Sequence, residues 1–410
     1  MTTSKIHINP KASQWRFTTQ PDDPSTTSSR PSPSVLPFHK HLPTYAPTPL
    51  HSLPSIAASL NVGHVLVKDE SLRFGLPSFK VLGASWAVYR AVVERLGLLD
   101  LLNPPFPRLS TLGETARNRG LTLKIVTCTA GNWGRAVARM GAYMGIETVV
   151  YVPADVHCTT RELIRDEGAE VVVAQGGGYD GAVGEAKGRV EREGAGGLLV
   201  MDIAWEGHED VPKWVVEGYQ TMLDEEDGQV LAATGGRPAT HAVVPVGCGS
   251  IAQAVTQHFK SASRERDGSP AAMVMGVEPE TAACLKLSLE RGAMTQVTTA
   301  ESIMCGMNCG SLSTAAWPAL QNGVDVAVVV SDEEAHQAVL ELRELGVKAG
   351  PCGAATLAGL KRVCAEQQER SGLNSASVVV LHCTEGLREY DTPPNGVGGE
   401  KLQRLRSRDP

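Results

Sequence analysis

Short runs of β-branched residues alternate with longer amphipathic patterns along most of this chain, and this alternation constrains the fold more than any other feature. HVLVKD (64–69) and LKIVTCT (123–129) have the composition of buried strands, and VVVLHC (378–383) repeats it further along the chain. Between the first two lies VLGASWAVYRAVVERLGLL, whose apolar residues recur every three or four positions, as in a helix. Strands that alternate with helices of this length predict βαβ units and parallel sheets, so the fold class is α/β.

Length and charge narrow the class of protein further. The 410 residues suffice for two or three domains with buried cores. The net charge is −7 and no Lys/Arg-rich run occurs, so we expect no nucleic-acid partner. No stretch of about 18 consecutive apolar residues is present, which predicts no membrane span. Residues 19–36 are rich in Pro, Ser and Thr, and we predict that residues 1–37 form a flexible N-terminal segment.

The nine cysteines are scattered and form no CxxC pair. Cys305 and Cys309 are four residues apart, but no matching pair of Cys or His lies nearby. Structural zinc sites use four ligands in paired spacing, so we predict no metal site. Scattered cysteines in a chain of this size indicate reduced thiols and a cytoplasmic location.

Lys80 is the first residue with a candidate chemical role. The stretch KDESLRFGLPSFKVLGASWA (68–87) places a strand end, a loop with Gly and Pro, and then Ser78-Phe79-Lys80 at the start of a helix. A lysine there can be a solvated surface residue. Its charge opposes the helix dipole, however, and neutralisation of the amine as an imine relieves that opposition. Lys80 is therefore a candidate catalytic lysine.

Two further stretches have the composition of ligand-binding turns. In VVPVGCGSIAQAV (243–255) a strand leads into a loop whose backbone N–H groups and hydroxyl can surround one phosphate. The residues of this loop are Gly247, Cys248, Gly249 and Ser250. It lacks the ending of a nucleotide-binding P-loop and a complete dinucleotide fingerprint. In TCTAGNWGRAVAR (127–139), Asn132 follows another strand and can bond a ligand oxygen, although an ordinary strand-to-helix turn would look the same.

The last strand ends in Cys383 and Thr384, within VVVLHCTEG (378–386). Open α/β sheets bind ligands at the carboxyl ends of their strands, where a hydroxyl or thiol can face a ring nitrogen. An amine, a phosphate loop and polar groups for a ring, in a chain without nucleotide motifs, together indicate pyridoxal phosphate.

The order of Ser-Phe-Lys, Ala-Gly-Asn, Gly-Cys-Gly-Ser and Thr-Glu-Gly resembles that of fold-type II pyridoxal-phosphate enzymes, the group of tryptophan synthase β and threonine dehydratase. Closer still, the chain resembles the diaminopropionate ammonia-lyases. The AWEG sequence within DIAWEGHEDVPKWVVEGYQTM (202–222) is more specific to that group than the glycine loops are. The resemblance runs from about residue 38 to 386. The other stretches that carry it are 38–50, 68–85, 129–146, 245–255, 276–285 and 383–386.

The resemblance implies two open, twisted α/β domains with the cofactor between them. The smaller domain is expected to span 74–215 and to carry Lys80. The larger domain is expected to comprise 38–73 plus 216–390, with the phosphate loop, and residues 391–410 would form a C-terminal tail. A homodimer is also implied.

The resemblance implies roles for individual residues as well. Lys80 would hold pyridoxal 5′-phosphate as a Schiff base and act as the base at the substrate α-carbon. Asn132 would bond the ring hydroxyl, Gly247 to Ser250 would bind the phosphate, and Thr384, in preference to Cys383, would face the ring nitrogen. Asp202 would lie near the substrate amino groups.

One departure from the family pattern affects the expected substrate. Ala130 stands where the family has an aspartate that resembles a second base serving the D-isomer, and Trp133 replaces a histidine. An alanine cannot act as a base, so we expect a preference for an L-amino acid.

The expected reaction is α,β-elimination of ammonia or another β-leaving group from a small, diaminopropionate-like amino acid, giving a 2-oxo acid and ammonia. Two alternatives remain open from the sequence. The first is β-replacement in a biosynthetic pathway, and the second is a homologue that binds the cofactor without turnover.

Overall fold

The computed structural model describes residues 4–18, 35–129, 131–266 and 268–393. Strands and helices alternate through most of these ranges, which confirms the predicted α/β class. The strands are β1 (Ile6–Ile8), β2 (Leu50–Ser52), β3 (His64–Asp69), β4 (Lys124–Cys128), β5 (Glu147–Val152), β6 (Glu170–Val173), β7 (Gly197–Leu199), β8 (His241–Pro245), β9 (Met273–Pro279), β10 (Val326–Val330) and β11 (Val378–Cys383). The helices are α1 (Val35–His41), α2 (Pro54–Ser59), α3 (Lys80–Arg95), α4 (Ser110–Asn118), α5 (Asn132–Met144), α6 (Cys158–Asp166), α7 (Gly178–Glu193), α8 (Asp210–Gly218), α9 (Gln220–Thr234), α10 (Ser250–Phe259), α11 (Ala262–Arg266), α12 (Cys284–Arg291), α13 (Trp317–Gly323), α14 (Asp332–Glu344) and α15 (Pro351–Gln367).

The described residues form two compact units, each of which is described by itself. The first unit comprises 4–18, 47–72 and 222–393, apart from residue 267, and the second unit comprises 35–46 and 73–221, apart from residue 130. The phosphate loop predicted from the sequence lies in the first unit, and Lys80 lies in the second.

Helix α1 belongs to the second unit, whereas the family resemblance implies that residues from 38 onward belong to the larger domain. Phe38 packs on Tyr89 of α3 with 4.5 Å between the ring centroids. The buried His39 places its Nε2 3.0 Å from Ser85 Oγ, also on α3. These contacts attach α1 to α3, and the boundary therefore falls after residue 46 rather than before residue 38.

The first unit contains a seven-stranded sheet in the order β1-β10-β9-β8-β11-β3-β2. The five strands from β10 to β3 are parallel to their neighbours, and β1 and β2 are antiparallel additions at the two edges. Apolar side chains of α14 and α15 pack with those of the sheet into one buried cluster. Because the five central strands are parallel, their carboxyl ends lie along the same edge of the sheet.

Strand β1 lies within residues 1–37, which the sequence predicts to be flexible, and for residues 6–8 that prediction is wrong. Ile6 pairs with Val328 and Ile8 with Val326. The pairing occupies N–H and C=O groups that β10 would otherwise expose at the edge of the sheet. Residues 19–34, which hold most of the Pro/Ser/Thr-rich stretch, lie outside the described residues, as do residues 394–410 of the predicted tail.

The second unit contains a four-stranded parallel sheet in the order β6-β5-β4-β7. Beside it, helices α3 and α8 pack with their backbones in contact. A Cβ added to Gly83 would lie 2.7 Å from Val215 Cγ1, and one added to Gly218 would lie 2.5 Å from the Leu82 carbonyl oxygen. Larger residues would separate the two helices, so these glycines set the position of the helix that begins at Lys80.

Among the helices in the described ranges, none is both long and apolar enough to cross a membrane. No group of three or more His, Cys, Asp or Glu side chains in those ranges has the arrangement of a metal site. No disulfide joins the cysteines of the described ranges, and four of them are buried: Cys128, Cys284, Cys352 and Cys383.

Candidate active site

Lys80 is the first residue of α3, and the loop before it is held in a defined conformation. Arg73 and Leu76 close the loop by exchanging backbone hydrogen bonds of 2.8 and 2.9 Å. Phe74 has a φ of 52°, in the left-handed region that non-glycine residues seldom adopt. The Arg139 guanidinium of α5 donates to the Phe74 carbonyl at 2.6 Å. The turn that precedes Lys80 is therefore held in place by its hydrogen bond to α5.

The amine of Lys80 contacts the carboxylate of Asp202 in the same unit. Lys80 Nζ lies 3.0 Å from Asp202 Oδ2, which is both a hydrogen bond and an ion pair. The side chain of Asp202 is 8% exposed and that of Lys80 is 28% exposed. The carboxylate is thus shielded from water, whereas the amine remains partly accessible. A catalytic amine has to be accessible in order to contact a substrate.

Asn132 begins α5, directly after the turn that follows β4. Thr129 Oγ1 accepts a hydrogen bond from the Gly131 N–H at 2.9 Å and so closes this turn. The next residue, Trp133, points into the core: its side chain is buried, and its indole N–H donates to Thr127 Oγ1 at 2.9 Å. Asn132 is left as the half-exposed polar residue of the turn, and Ala130 lies outside the described residues.

The predicted phosphate loop follows β8 in the first unit, and Ser250 at its end is the first residue of α10. Gly249 has a φ of 99°, and a Cβ there would lie 2.9 Å from Leu320 Cδ1. A Cβ on Gly247 would lie 3.1 Å from the Gly306 carbonyl oxygen. Gly249, the N-cap residue of α10, has no side chain that could cap the helix, and the first N–H groups lie at the positive end of the helix dipole. The loop therefore fits a phosphate group.

A second segment supports this loop and was not predicted from the sequence. Cys309 Sγ lies 3.3 Å from the position of a Cβ on Gly247. Ser313 donates its backbone N–H to the Cys248 carbonyl at 2.8 Å. The sequence MCGMNCGS (304–311) has no strand or helix pattern, and the spacing of its cysteines matches no metal-binding motif. The glycines of this segment, together with those at 247 and 249, are the sequence feature that could have predicted close backbone packing between the two loops.

Thr384 directly follows β11 and is 4% exposed. Its neighbour Cys383 belongs to the apolar core of the first unit, where burial raises the pKa of its thiol well above the usual range. A Cβ on Gly353 of α15 would lie 2.8 Å from the Cys383 sulfur. Cys383 therefore packs against a helix, which favours Thr384 as the residue that meets a ligand.

In each unit the candidate residues follow neighbouring parallel strands. In the first unit, the phosphate loop follows β8 and Thr384 follows β11, which is paired to β8. In the second unit, Asn132 follows β4 and Asp202 follows β7, which is paired to β4. Carboxyl ends of adjacent parallel strands are the usual ligand-binding positions of open α/β sheets.

Comparisons with known proteins find a matching family and similar enzymes. A family model described as pyridoxal-phosphate dependent enzyme matches residues 41–384. The diaminopropionate ammonia-lyase of Salmonella typhimurium is 35% identical over 301 residues, which are 73% of this chain and 72% of that protein. The diaminopropionate ammonia-lyase of Escherichia coli strain K12 is 30% identical over 364 residues, or 85% and 86% of the two chains.

Solved structures show the same similarity. The crystal structure of the Escherichia coli diaminopropionate ammonia lyase in complex with D-serine superposes with a TM-score of 0.76 at 28% identity and covers 93% of each chain. The structure of the same enzyme in complex with an aminoacrylate-PLP azomethine reaction intermediate gives a TM-score of 0.74 at 27% identity, again over 93% of each chain.

Proposed function

Because this chain belongs to the pyridoxal-phosphate dependent enzymes, and within them to the diaminopropionate ammonia-lyases, we propose that it eliminates ammonia, or another β-leaving group, from a small diaminopropionate-like amino acid. The products are a 2-oxo acid and ammonia. The observation that carries the proposal is the 3.0 Å contact of Lys80 Nζ with Asp202 Oδ2, because it joins a potential base to a carboxylate beside the carboxyl end of a parallel strand.

Pyridoxal 5′-phosphate is the cofactor, and the described residues fit it. When bound, it withdraws electrons from the substrate α-carbon, so that the α-proton becomes acidic and the β-substituent can leave. The loop from Gly247 to Ser250 would hold the phosphate, and the amide of Asn132 would bond the ring hydroxyl. Thr384 would face the ring nitrogen, and its neutral hydroxyl would leave that nitrogen unprotonated.

Lys80 has two roles in this proposal: it anchors the cofactor, and its freed amine takes the α-proton at Nζ. A lysine acts as a base only after it has lost its own proton. Asp202 accepts a hydrogen bond from the ammonium form, so it stabilises Lys80 after proton transfer. Because the Asp202 side chain is nearly buried, its attraction for substrate amino groups is stronger than it would be in water.

The preferred isomer follows from the residues around Asn132. Ala130 provides no carboxylate, and the indole of Trp133 is committed to the core through its hydrogen bond to Thr127. Proton transfer is therefore assigned to the face that Lys80 reaches, and we propose an L-amino acid as the substrate. The Escherichia coli relative was crystallised with D-serine, so D-isomers are the informative comparison.

The test is the replacement Lys80→Ala in the full chain, with Lys213→Ala on the exposed face of α8 as a control. Lys80→Ala should abolish the visible absorbance of the bound cofactor and lower 2-oxo acid release from L-diaminopropionate by a factor of about 10²–10⁴ or more, as expected for loss of a general base. The control should retain both. Turnover by Lys80→Ala at the parent rate would overturn the assignment, and formation of a substituted amino acid would favour β-replacement.

We also propose that the chain is cytoplasmic and forms a homodimer. No disulfide is formed among the described residues, which suits a reducing compartment. The homodimer follows from the family resemblance, and light scattering of the purified chain tests it directly: a monomeric mass would contradict the proposal.

A further inference from the structure

The position of Asp202 is not fixed by a long strand. It follows β7, which is three residues long and lies at the edge of the second unit's sheet. Pairing continues for one more residue, since Val200 donates its N–H to the Val126 carbonyl at 2.9 Å. Beyond that point the chain enters the segment 203–209 before α8 begins. The carboxylate that meets Lys80 therefore depends on how this segment is held.

The segment is closed by a tight turn. The His208 N–H donates to the Trp205 carbonyl at 2.8 Å, and Gly207 adopts a φ of 84°, which favours glycine. The Gly207 N–H donates to Glu209 Oε1 at 2.9 Å. The turn therefore brings the Trp205 and His208 side chains to the same side.

A three-layer stack attaches this turn to α7. The rings of Trp205 and His208 are nearly parallel, at 17°, with 4.4 Å between their centroids. The ammonium of Lys187, on α7, lies 3.8 Å from the centroid of the Trp205 ring. An ammonium at this distance is attracted by the electron-rich face of the indole. The three side chains border a small cavity of about 200 Å³, whose walls include Val190 and Leu199.

The stack depends on a neutral imidazole. Burial, and then the nearby Lys187 ammonium, lower the pKa of His208 to about 4. The ring is therefore uncharged at neutral pH and does not compete with Lys187 for the indole. Its Nε2 has no hydrogen-bond partner among the described residues, so ring stacking and the turn account for its placement.

We propose that Lys187 and Trp205 are positioning residues, which hold the segment 203–209 so that the Asp202 carboxylate stays within hydrogen-bond distance of the Lys80 amine. Neither residue touches the reacting atoms. Trp205 is three residues from Asp202, and the Lys187 ammonium contacts the segment through the Trp205 ring. The proposal rests on the roles proposed above for Lys80 and Asp202.

The test measures the Lys80 amine in the cofactor-free, full-length chain. Brief acylation with acetic anhydride at one mildly alkaline pH, followed by mass spectrometry of the peptide containing Lys80, gives the rate at which that amine reacts. An ion pair favours the protonated amine, which is not acylated, and so lowers the labelling rate. Asp202→Asn should accelerate the labelling by about fivefold, the limit expected for a partly exposed pair. Lys187→Met and Trp205→Leu should each accelerate it by about twofold, since they loosen the pair without removing it.

Matched variants separate positioning from general damage. Lys213→Met removes an exposed lysine from α8 and should leave the Lys80 rate unchanged. Lys187→Arg keeps a cation over the indole and should restore the parent rate. Lys187→Met retains the apolar stem, so it remains informative if Trp205→Leu does not fold. In the loaded enzyme, the two positioning variants should lower kcat more than they alter KM.

The outcomes are distinguishable. If Asp202→Asn accelerates labelling while Lys187→Met and Trp205→Leu match the parent, the positioning role is wrong and the proposed function stands. If Asp202→Asn itself leaves the rate unchanged, the Lys80–Asp202 pair is not a functional contact, and both the proposed role of Asp202 and the positioning role are wrong.

Discussion

Replacing Gly249 by alanine should weaken cofactor binding as well as stability, and Gly346→Ala provides a matched control. Both glycines lie in the first unit at positive φ, 99° and 84°. Left-handed backbone costs a non-glycine residue roughly 1–2 kcal/mol, so both variants should lose about that much free energy of unfolding. They differ in their surroundings. At Gly346 no atom of the described residues lies within 4 Å of a Cβ, whereas at Gly249 the buried Leu320 is 2.9 Å away and Ala316 is 3.2 Å away.

The crowding adds a second term for Gly249→Ala. An extra methyl in a packed site costs typically about 1–3 kcal/mol, which raises the expected loss to roughly 2–5 kcal/mol. The chain can relieve this clash by moving the loop away from Leu320, and such a movement spoils the arrangement of N–H groups for the phosphate. A loss of about 1.4 kcal/mol in binding corresponds to a tenfold weaker Kd, so we expect at least about that change.

Urea unfolding of the cofactor-free chain gives the stability difference, and absorbance titration with pyridoxal phosphate gives the Kd. Gly249→Ala should be less stable than Gly346→Ala and should bind the cofactor more weakly, while Gly346→Ala should bind like the parent. Equal stability losses would show that space around Gly249 is not limiting. Parent-like binding by Gly249→Ala would refute its place in the phosphate loop.

Three further outcomes follow from other contacts. Burial raises the pKa of Glu278 from its ordinary 4.5 to about 7, so the folded chain binds a proton more tightly than the unfolded chain. As the pH rises from about 4.5 to 7, the free energy of unfolding should therefore fall by up to about 3 kcal/mol. Urea titrations at pH 5 and 8 measure this fall, and Glu278→Gln should reduce it. Gly218→Ala should destabilise the chain by about 3 kcal/mol or more, because the added methyl meets the Leu82 carbonyl at 2.5 Å; parent-like urea unfolding would contradict this packing. Trp15→Ala should cost about 1–2 kcal/mol, because the indole covers Gly323, where a Cβ would lie 2.6 Å from ring atoms; an unchanged melting temperature would argue against this contact.

The sequence predicted those parts of the candidate site that leave a local pattern. Lys80 could be placed at a helix start because a loop with Gly and Pro precedes an amphipathic run. The glycines at 247 and 249 could be placed in a tight loop because close backbone approach and positive φ both require glycine, and their binding of a phosphate stays a prediction. No local sequence pattern indicates a role for Asp202. The family resemblance implies that role, and in the structure the Asp202 carboxylate contacts the Lys80 amine.

Features that depend on distant partners could not be predicted. Three residues at 6–8 show no strand periodicity, and they form a strand because β10 offers an open edge. The support of Gly247 by Gly306 and Cys309 depends on two loops far apart in sequence. The stack of Lys187 on Trp205 likewise joins a helix to a turn that the sequence does not connect.

The strand order of the first unit has a consequence for how the chain acquires its structure. β11 is the last strand of the described residues, yet it lies between β8 and β3 in the interior of the sheet. During synthesis, β3 has to wait for β11 before it can join β8, whereas all the strands of the second unit's sheet leave the ribosome much earlier. Such non-local pairing is slow to form, and exposed strand edges favour aggregation in the meantime. We therefore expect the second unit to acquire its sheet first and expect the late pairing of β11 to limit the folding rate of the whole chain.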